Sequence, residues 1–245
     1  MSRRLVIALV VAGLIGFAGA AVARFPLSLA LAMSEAGAGG LSALRATGTV
    51  WDGRLERLAL GARVIGDVDL ALDPRSLLDG AVRLGWQLRH PGLEGAGSLA
   101  RHRDGTVELI DARLAGRLLD LPTLVPLDGS FRLEVDRIVF GPEGCRQAEA
   151  SLWTDTLERS RARLQWRGPA LEGKAACRDG MLVLPLAGSN ADSRVSIEAR
   201  LQPDLHYAVE ISLTTENRRL RRTLPMLGFQ AGDNGRFRLI QDGRL

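Results

Sequence analysis

From Leu44 onward the chain alternates apolar and polar residues. Val68, Leu70 and Leu72 alternate with Asp67, Asp69 and Ala71, and Val82, Leu84, Trp86 and Leu88 with Arg83, Gly85, Gln87 and Arg89. Phe131, Leu133 and Val135 repeat the pattern against Arg132, Glu134 and Asp136, as do Val195, Ile197, Ala199 and Leu201 against Arg194, Ser196, Glu198 and Arg200. A period of two gives each strand one buried and one wet face, an arrangement that antiparallel sheets accept and parallel sheets rarely do. Asp-Gly recurs at 52–53, 79–80, 104–105, 128–129, 179–180 and 242–243, with Asn234-Gly235 beside them. Both residues of such pairs tolerate positive φ, so they predict hairpins joined in a meander.

Two stretches break the alternation. Asp73-Pro74-Arg75-Ser76-Leu77-Leu78 predicts one helical turn, with Asp73 as N-cap and Pro74 at the first position. Glu216 to Leu227 carries helical spacing in Leu220, Leu224 and Leu227, weakened at its end by Pro225. In the stretch GTVWDGR, Asp52-Gly53 reads as a two-residue turn between Thr49-Val50-Trp51 and Arg54-Leu55. Gly48, Trp51, Asp52 and Gly53 then form a structural turn motif, with Trp51 packing on the sheet or its rim.

The first residues follow a different rule. Arg3 and Arg4 precede Leu5 to Ala23, which holds no charge, and Arg24 closes the run. At 1.5 Å per residue this run can cross a bilayer core of roughly 30 Å. The flanking arginines leave the N-terminus in the cytoplasm and send the rest across. The alternative is a signal peptide cleaved after Ala21-Val22-Ala23. Ala8, Ala12, Gly16 and Ala20 recur every fourth residue. They make a face on which a second membrane helix could pack, although an alanine-rich helix also produces that spacing by chance. Phe25-Pro26 ends or kinks the run, Leu27 to Ala36 continues as a short helix, and Gly37 to Gly40 interrupts it.

The expected division is therefore residues 1–4 in the cytoplasm, 5–23 as a transmembrane anchor, 24–43 as a linker with a short helix, and 44–245 as a periplasmic β-rich domain. The expected fold is mainly β. An N-terminal transmembrane helix leads into an antiparallel, strongly curled meander or open sheet with one or two short helices.

Composition narrows the function classes. A chain of 245 residues with 46% hydrophobic and 24% charged residues can bury a core and is not disordered. Its net charge of +4 rests on arginine, since Lys174 is the sole lysine. The arginines are interleaved with carboxylates, whereas a nucleic-acid face would gather them. One group does stand together: Arg218, Arg219, Arg221 and Arg222. It reads as the solvated face of a short helix or as a contact for an acidic partner or lipid headgroup. Cys145 and Cys177 lie in no C-x-x-C and have no histidine near them, so in an oxidising compartment they read as one disulfide, with two buried free thiols as the alternative.

Catalytic signatures are missing. His90, His102 and His206 are isolated, and the chain has no H-E-x-x-H, G-x-S-x-G or Walker A sequence. Asp67-Val68-Asp69 matches a metal-binding D-x-D, yet on a strand such residues simply share the wet face. The expectation is a non-enzyme with no catalytic, cofactor-binding or metal-ligating residues.

Taken in order, these blocks resemble the type II secretion system protein N family, the general secretion pathway N proteins. Phe25-Pro26 follows the anchor, and Gly48-Thr49-Val50-Trp51-Asp52-Gly53-Arg54 is similar to the family's G-T-[LV]-W-x-G signature. Leu72-Asp73-Pro74-Arg75-Ser76-Leu77-Leu78 with Gly80 and Trp86 resembles a second block. Asp128-Gly129-Ser130-Phe131-Arg132-Leu133, Cys145, Trp153, Cys177 and Asp179 to Pro185 resemble a third, and Leu224 to Gly228 with Gly235 to Leu239 resembles the tail. The resemblance implies a single-pass inner-membrane protein of a Gram-negative bacterium, with its main domain in the periplasm. It would be an accessory part of the machine that exports folded proteins, beside the inner-membrane platform and the outer-membrane secretin, and without catalytic residues. The single anchor, long meander and L-D-P-x-S-L-L also look like the AsmA and TamB type of envelope protein, which implies a curled sheet lining an apolar groove for lipid.

Overall fold

In a computed structural model the structure describes residues 13, 16–17, 19–33, 41–60, 63–117, 128–159, 166–204, 206–232 and 235–244. Residues 19–23 are helical, and after Arg24 and Phe25 a second helix, α1, runs over Leu27–Met33. It matches the helix expected from Leu27; residues 34–40 lie outside the described ones. Most of the expected span at 5–23, Ala8 and Ala12 included, also lies outside them, while Gly16 and Ala20 are helical and exposed. Among the described residues no helix is long and apolar enough to cross a membrane.

Among the described residues the strands form one antiparallel sheet of fifteen. Its first part comprises β1 (Leu41–Ser42), β2 (Arg45–Gly48), β3 (Gly53–Leu60), β4 (Arg63–Leu72), β5 (Ala81–His90), β6 (Leu93–His102) and β7 (Val107–Arg117). β8 (Ser130–Gly141), β9 (Gly144–Thr154), β10 (Leu171–Arg178) and β11 (Met181–Ser189) follow. β12 (Ser193–Leu201), β13 (His206–Thr215), β14 (Gln230–Ala231) and β15 (Arg236–Arg244) complete it. Neighbours in sequence are neighbours in the sheet from β3 to β13, as a meander requires. At one end β1 and β2 lie along β3, and at the other β14 lies outside β15.

Alternation becomes a row of apolar side chains on one face. Leu55, Val68, Leu88, Gly95, Leu114, Leu133, Leu152 and Gly173 stand opposite one another in succession from β3 to β10. The row resumes with Leu186, Ile197, Ile211 and Leu239 on β11, β12, β13 and β15. It breaks where the β10–β11 ladder pairs at Glu172↔Ala187 and again only at Ala176↔Val183. Pro185 sits inside this gap and has no N–H to donate. Across the break, Cα atoms of β9 and β11 come within 8 Å although β10 lies between them. A flat sheet would hold them about 9.5 Å apart, so the sheet bends sharply at β10.

The bend divides the buried side chains into two clusters. Leu27, Leu55, Val68, Leu88 and Leu93 form one, with Leu31, Trp86 and Phe131 against it. Trp166, Leu171, Leu186, Val195, Leu213, Leu224 and Phe237 form the other. Burial of this kind stabilises by roughly 25 cal/mol per Å² of apolar surface, which is why α1 lies down on the sheet rather than standing free.

The two predicted helical interruptions are present. Pro74–Leu78 is α2, capped by Asp73, whose carboxylate accepts from the Arg75 N–H at 2.9 Å. A short α3 covers Thr156–Arg159. Arg218–Thr223 is α4, with Asn217 as N-cap, and it tightens into a 3-10 turn over Leu224–Leu227 where Pro225 removes an N–H. Leu220 and Leu224 face the core as the spacing predicts, whereas Leu227 is exposed.

The hairpin signals need correction. Among the described pairs only Asp179-Gly180 is a two-residue turn between paired strands, both residues at positive φ, while Asn234 lies outside the described residues. Asp79-Gly80 ends α2, Asp104-Gly105 belongs to a longer loop, Asp128-Gly129 leads into β8, and Asp242-Gly243 lies inside β15. Gly48 pairs with Gly53, so Asp52-Gly53 is not the two-residue turn expected: the connection is the four residues Thr49 to Asp52. An Asp-Gly pair signals a place where the backbone can turn, and helix ends and loops use that freedom as readily as hairpins do.

Candidate functional site

The four-residue loop is drawn out of hairpin geometry by bonds to other parts of the chain. Its own closure is the Thr49 N–H to the Asp52 carbonyl at 3.0 Å. The Val50 N–H donates to the Phe25 carbonyl at 3.1 Å, and the Val50 carbonyl accepts from the Leu72 N–H at 3.0 Å. Pro26 and Thr49 form an isolated antiparallel bridge. The Trp51 indole N–H donates to the Val22 carbonyl at 2.9 Å, which also accepts the Phe25 N–H at 3.2 Å where the helix ends. Leu27, 6% exposed, then inserts beneath the loop beside Gly53. GTVWDGR is thus a joint: it fixes the N-terminal helical segment to β3 and β4.

Both glycines of the joint are needed. Gly48 has φ +82°, and a Cβ there would strike the Asp52 carbonyl. A Cβ on Gly53 would come to 2.6 Å from both the Leu27 Cδ2 and the Thr49 carbonyl oxygen. Sequence reasoning found Gly48, Trp51, Asp52 and Gly53 but missed their partners Val22, Phe25 and Leu27. The Phe25-Pro26 dipeptide was the available signal, since an extended pair after a helix is free to bridge another strand.

On the other face, charges pair across strands. The Arg54 guanidinium lies 2.9 Å from the Asp67 carboxylate and 3.8 Å from Asp69, and Arg89 also pairs with Asp69. The D-x-D is therefore an ion-paired stretch of strand, as its shared face suggested. Asp67 does more, because its second oxygen accepts the N–H of Arg57, a residue at φ +51° within the bulge of β3. That backbone bond, followed by Arg54, holds the Asp67 carboxyl below the usual aspartate range. A lowered folded pKa contributes stability above the unfolded pKa, lost as pH falls through the folded one. Asp67→Asn is therefore expected to melt earlier than the natural chain at neutral pH, and the gap should close as pH drops below the ordinary aspartate range. Thermal melts across an acid series check this; a gap independent of pH would remove the charge from the account.

The histidines remain apart. His206 pairs with the Asp204 of its own turn at 2.8 Å, and His102 lies 3.3 Å from Glu108, which Arg137 also holds at 3.0 Å. Glu108 is buried, and sequence reasoning gave no sign of it because its partners come from β6 and β8. Among the described residues no group of three or more His, Cys, Asp or Glu side chains is placed to hold a metal ion. Cys145 and Cys177 form the expected disulfide, with Cα atoms 5.5 Å apart.

At the far end of the meander, Arg218, Arg219, Arg221 and Arg222 are all exposed on α4. Asn217 accepts from the N–H groups of Arg219 and Leu220, and Leu220 and Leu224 hold the helix on the second cluster. The arginines so displayed stand next to the last strand, with the Arg221 guanidinium 3.8 Å from where a Cβ on Gly235 would lie. Glu210 on β13 is held below the usual glutamate range, first by its hydrogen bond from Arg238 on β15.

The family model described as type II secretion system (T2SS), protein N, matches residues 39–239. Among curated proteins the chain is similar to the type II secretion system protein N of Aeromonas hydrophila, 26% identical over 211 residues that cover 81% of this chain and 82% of that protein. No solved structure matches the chain.

Proposed function

The chain belongs to the type II secretion system protein N family, and from that premise we propose that it works without catalysis, as an anchored platform that positions other parts of the secretion machinery. In this reading residues 5–23 hold it in the inner membrane, with residues 1–4 in the cytoplasm and the β-rich domain of residues 44–245 in the periplasm. The joint is the observation that carries it. A tether that dangled from a flexible linker would leave the sheet free to reorient, whereas here Trp51, Val50 and Pro26 fasten the segment directly to β3 and β4. A sheet so fastened presents its edges and faces at a fixed place above the membrane. The neighbours it would meet are the inner-membrane platform and the outer-membrane secretin. The small-residue face of Ala8, Ala12, Gly16 and Ala20 offers a contact within the membrane. The disulfide supports an oxidising compartment.

A second reading, an AsmA- or TamB-like lipid carrier, is favoured by one observation. On the face that carries the apolar row, Val82 is 49% and Leu99 41% exposed, so that face stays open to solvent at the ends of β5 and β6. A photocrosslinker at Leu84, Trp86 or Leu133 would then capture acyl chains.

A clean deletion separates the two. Under the platform reading, secreted enzymes accumulate in the periplasm while a large antibiotic stays excluded. Normal secretion with a leaky outer membrane would overturn it and leave the lipid reading standing.

A further inference from the structure

Among the described residues, half of the outer edge of β15 is unpaired. β14 pairs with it only at Gln230↔Arg238 and Ala231↔Phe237, and the Gly232 N–H adds one bond to the Arg236 carbonyl. From Leu239 to Arg244 no described strand lies on that side, although β13 pairs with the other side along the whole length. An open edge of this kind presents alternate N–H and C=O groups to any extended chain that arrives.

The chemistry around the edge selects what arrives. Residues 206–245 hold seven arginines against four carboxylates, a surplus of three in a chain whose whole net charge is +4. Among the described residues Arg218, Arg219, Arg221 and Arg222 have no carboxylate partner, so their charge is not spent within the fold. Exposed apolar side chains lie nearby: Met226, 87% exposed, and Leu227 on the 3-10 turn, and Ile240, 55% exposed, on the face of β15 opposite to Leu239. Gly228 places the 3-10 turn against Leu239, because a Cβ there would lie 3.6 Å from the Leu239 Cδ1. Arg221 thus lies by Gly235 at the start of β15, Gly228 lies by Leu239, and the open backbone runs on from there.

We infer that this edge receives an acidic extended segment of a partner protein by strand addition, pairing with Leu239 to Arg244 and running past Met226 and Leu227 to the arginines of α4. This rests on the platform reading above and names one class of partner for it. A segment of about ten residues at roughly 3.3 Å each outruns the six residues from Leu239 to Arg244 and leaves the rest for α4. Backbone pairing supplies a partner-independent hold, alternate side chains meet Ile240, Asp242 and Arg244, and the four free arginines demand carboxylates at the segment's far end. A negatively charged membrane surface could satisfy the arginines but would leave the open N–H and C=O groups of β15 unpaired by any strand.

The test uses the purified full chain in detergent and fluorescently labelled peptides of about ten residues. One alternates valine with glutamate; a second has the same charge with proline at two central positions; a third carries lysine for glutamate. Fluorescence anisotropy should show the first peptide binding, weakened by added salt, and the other two failing. Replacing the four arginines with glutamine should raise its Kd about tenfold, as the combined loss of several exposed ion pairs would. The variant's unchanged melting temperature would exclude misfolding. Equal binding of the proline peptide, or binding only to phosphatidylglycerol vesicles, would overturn strand addition. Because this assay needs no secretion, its failure beside a secretion defect in the deletion strain would sink this inference alone.

Discussion

Gly53→Ala should destabilise the protein by about 2–4 kcal/mol and release its N-terminal segment from the sheet. The added methyl would meet the Leu27 side chain and the Thr49 carbonyl oxygen together. Moving the carbonyl would turn the Thr49–Val50 peptide and pull the Val50 N–H from the Phe25 carbonyl, next to the bridge between Pro26 and Thr49. Moving Leu27 would draw it out of a cluster in which it is buried with Leu55 and Val68. Neither route is cheap, and both end in the same place, with α1 lifted from β3. Chemical denaturation of the full chain reads the stability loss. Limited trypsin digestion reads the release, because Arg24 sits at the joint and should be cut faster in the variant. Trp51→Phe tests the same joint more gently. It removes the hydrogen bond to Val22 together with part of the ring and should cost about 1 kcal/mol, with a smaller rise in cleavage at Arg24. If Gly53→Ala matched the natural chain in both assays, the joint would have to be abandoned as the element that fixes the sheet.

The joint also shows how far the sequence could be read. Alternation identified strands at β4, β5, β8 and β12 with the correct buried faces, because a side-chain period of two depends only on local geometry. Asp73 and Pro74 announced α2 for the same reason. The disulfide was legible from cysteine count and compartment. What escaped was every feature made by distant residues meeting. Asp52-Gly53 looked like a hairpin turn because the bonds from Phe25 and Leu72 that enlarge the loop come from segments far along the chain. Asp242-Gly243 looked like a turn too, yet Gly243 lies in a strand where a Cβ would strike the Tyr207 ring. Glu108 gave no signal until β6 and β8 brought His102 and Arg137 to it. The sharp bend at β10 was equally hidden, since Pro185 reads as a defect in a strand until the gap opposite it is seen.

Conversion of both cysteines to serine should lower the melting temperature by about 10 °C in non-reducing conditions. The β9–β10 ladder pairs Leu171↔Thr154 through Ala175↔Ala150 and then stops, so the strands part toward Cys145. The Cys145 N–H instead donates to the Gly180 carbonyl at 2.7 Å, and the disulfide to Cys177 spans the opening. The bridge closes a separation of 32 residues that includes α3 and Trp166, a longer excursion than any tight hairpin nearby. In the chain-entropy model such a loop contributes roughly 3–4 kcal/mol by restricting the unfolded chain. A domain of this size loses about 2–4 °C per kcal/mol, which gives the expected drop. The natural chain with a reducing agent should melt where the double variant does, because both lack the same constraint. Retention of the natural melting temperature by the double variant would mean that the sheet is already closed at β10 by Gly173 and the core around Leu171. The outcome reaches beyond stability. If the bridge is needed to hold the two strands across the bend, a chain kept in a reducing compartment would have its two core clusters poorly fixed to each other. The joint at one end and the open edge of β15 at the other would then lose their set spacing, and a platform that works by spacing its contacts requires the oxidised form.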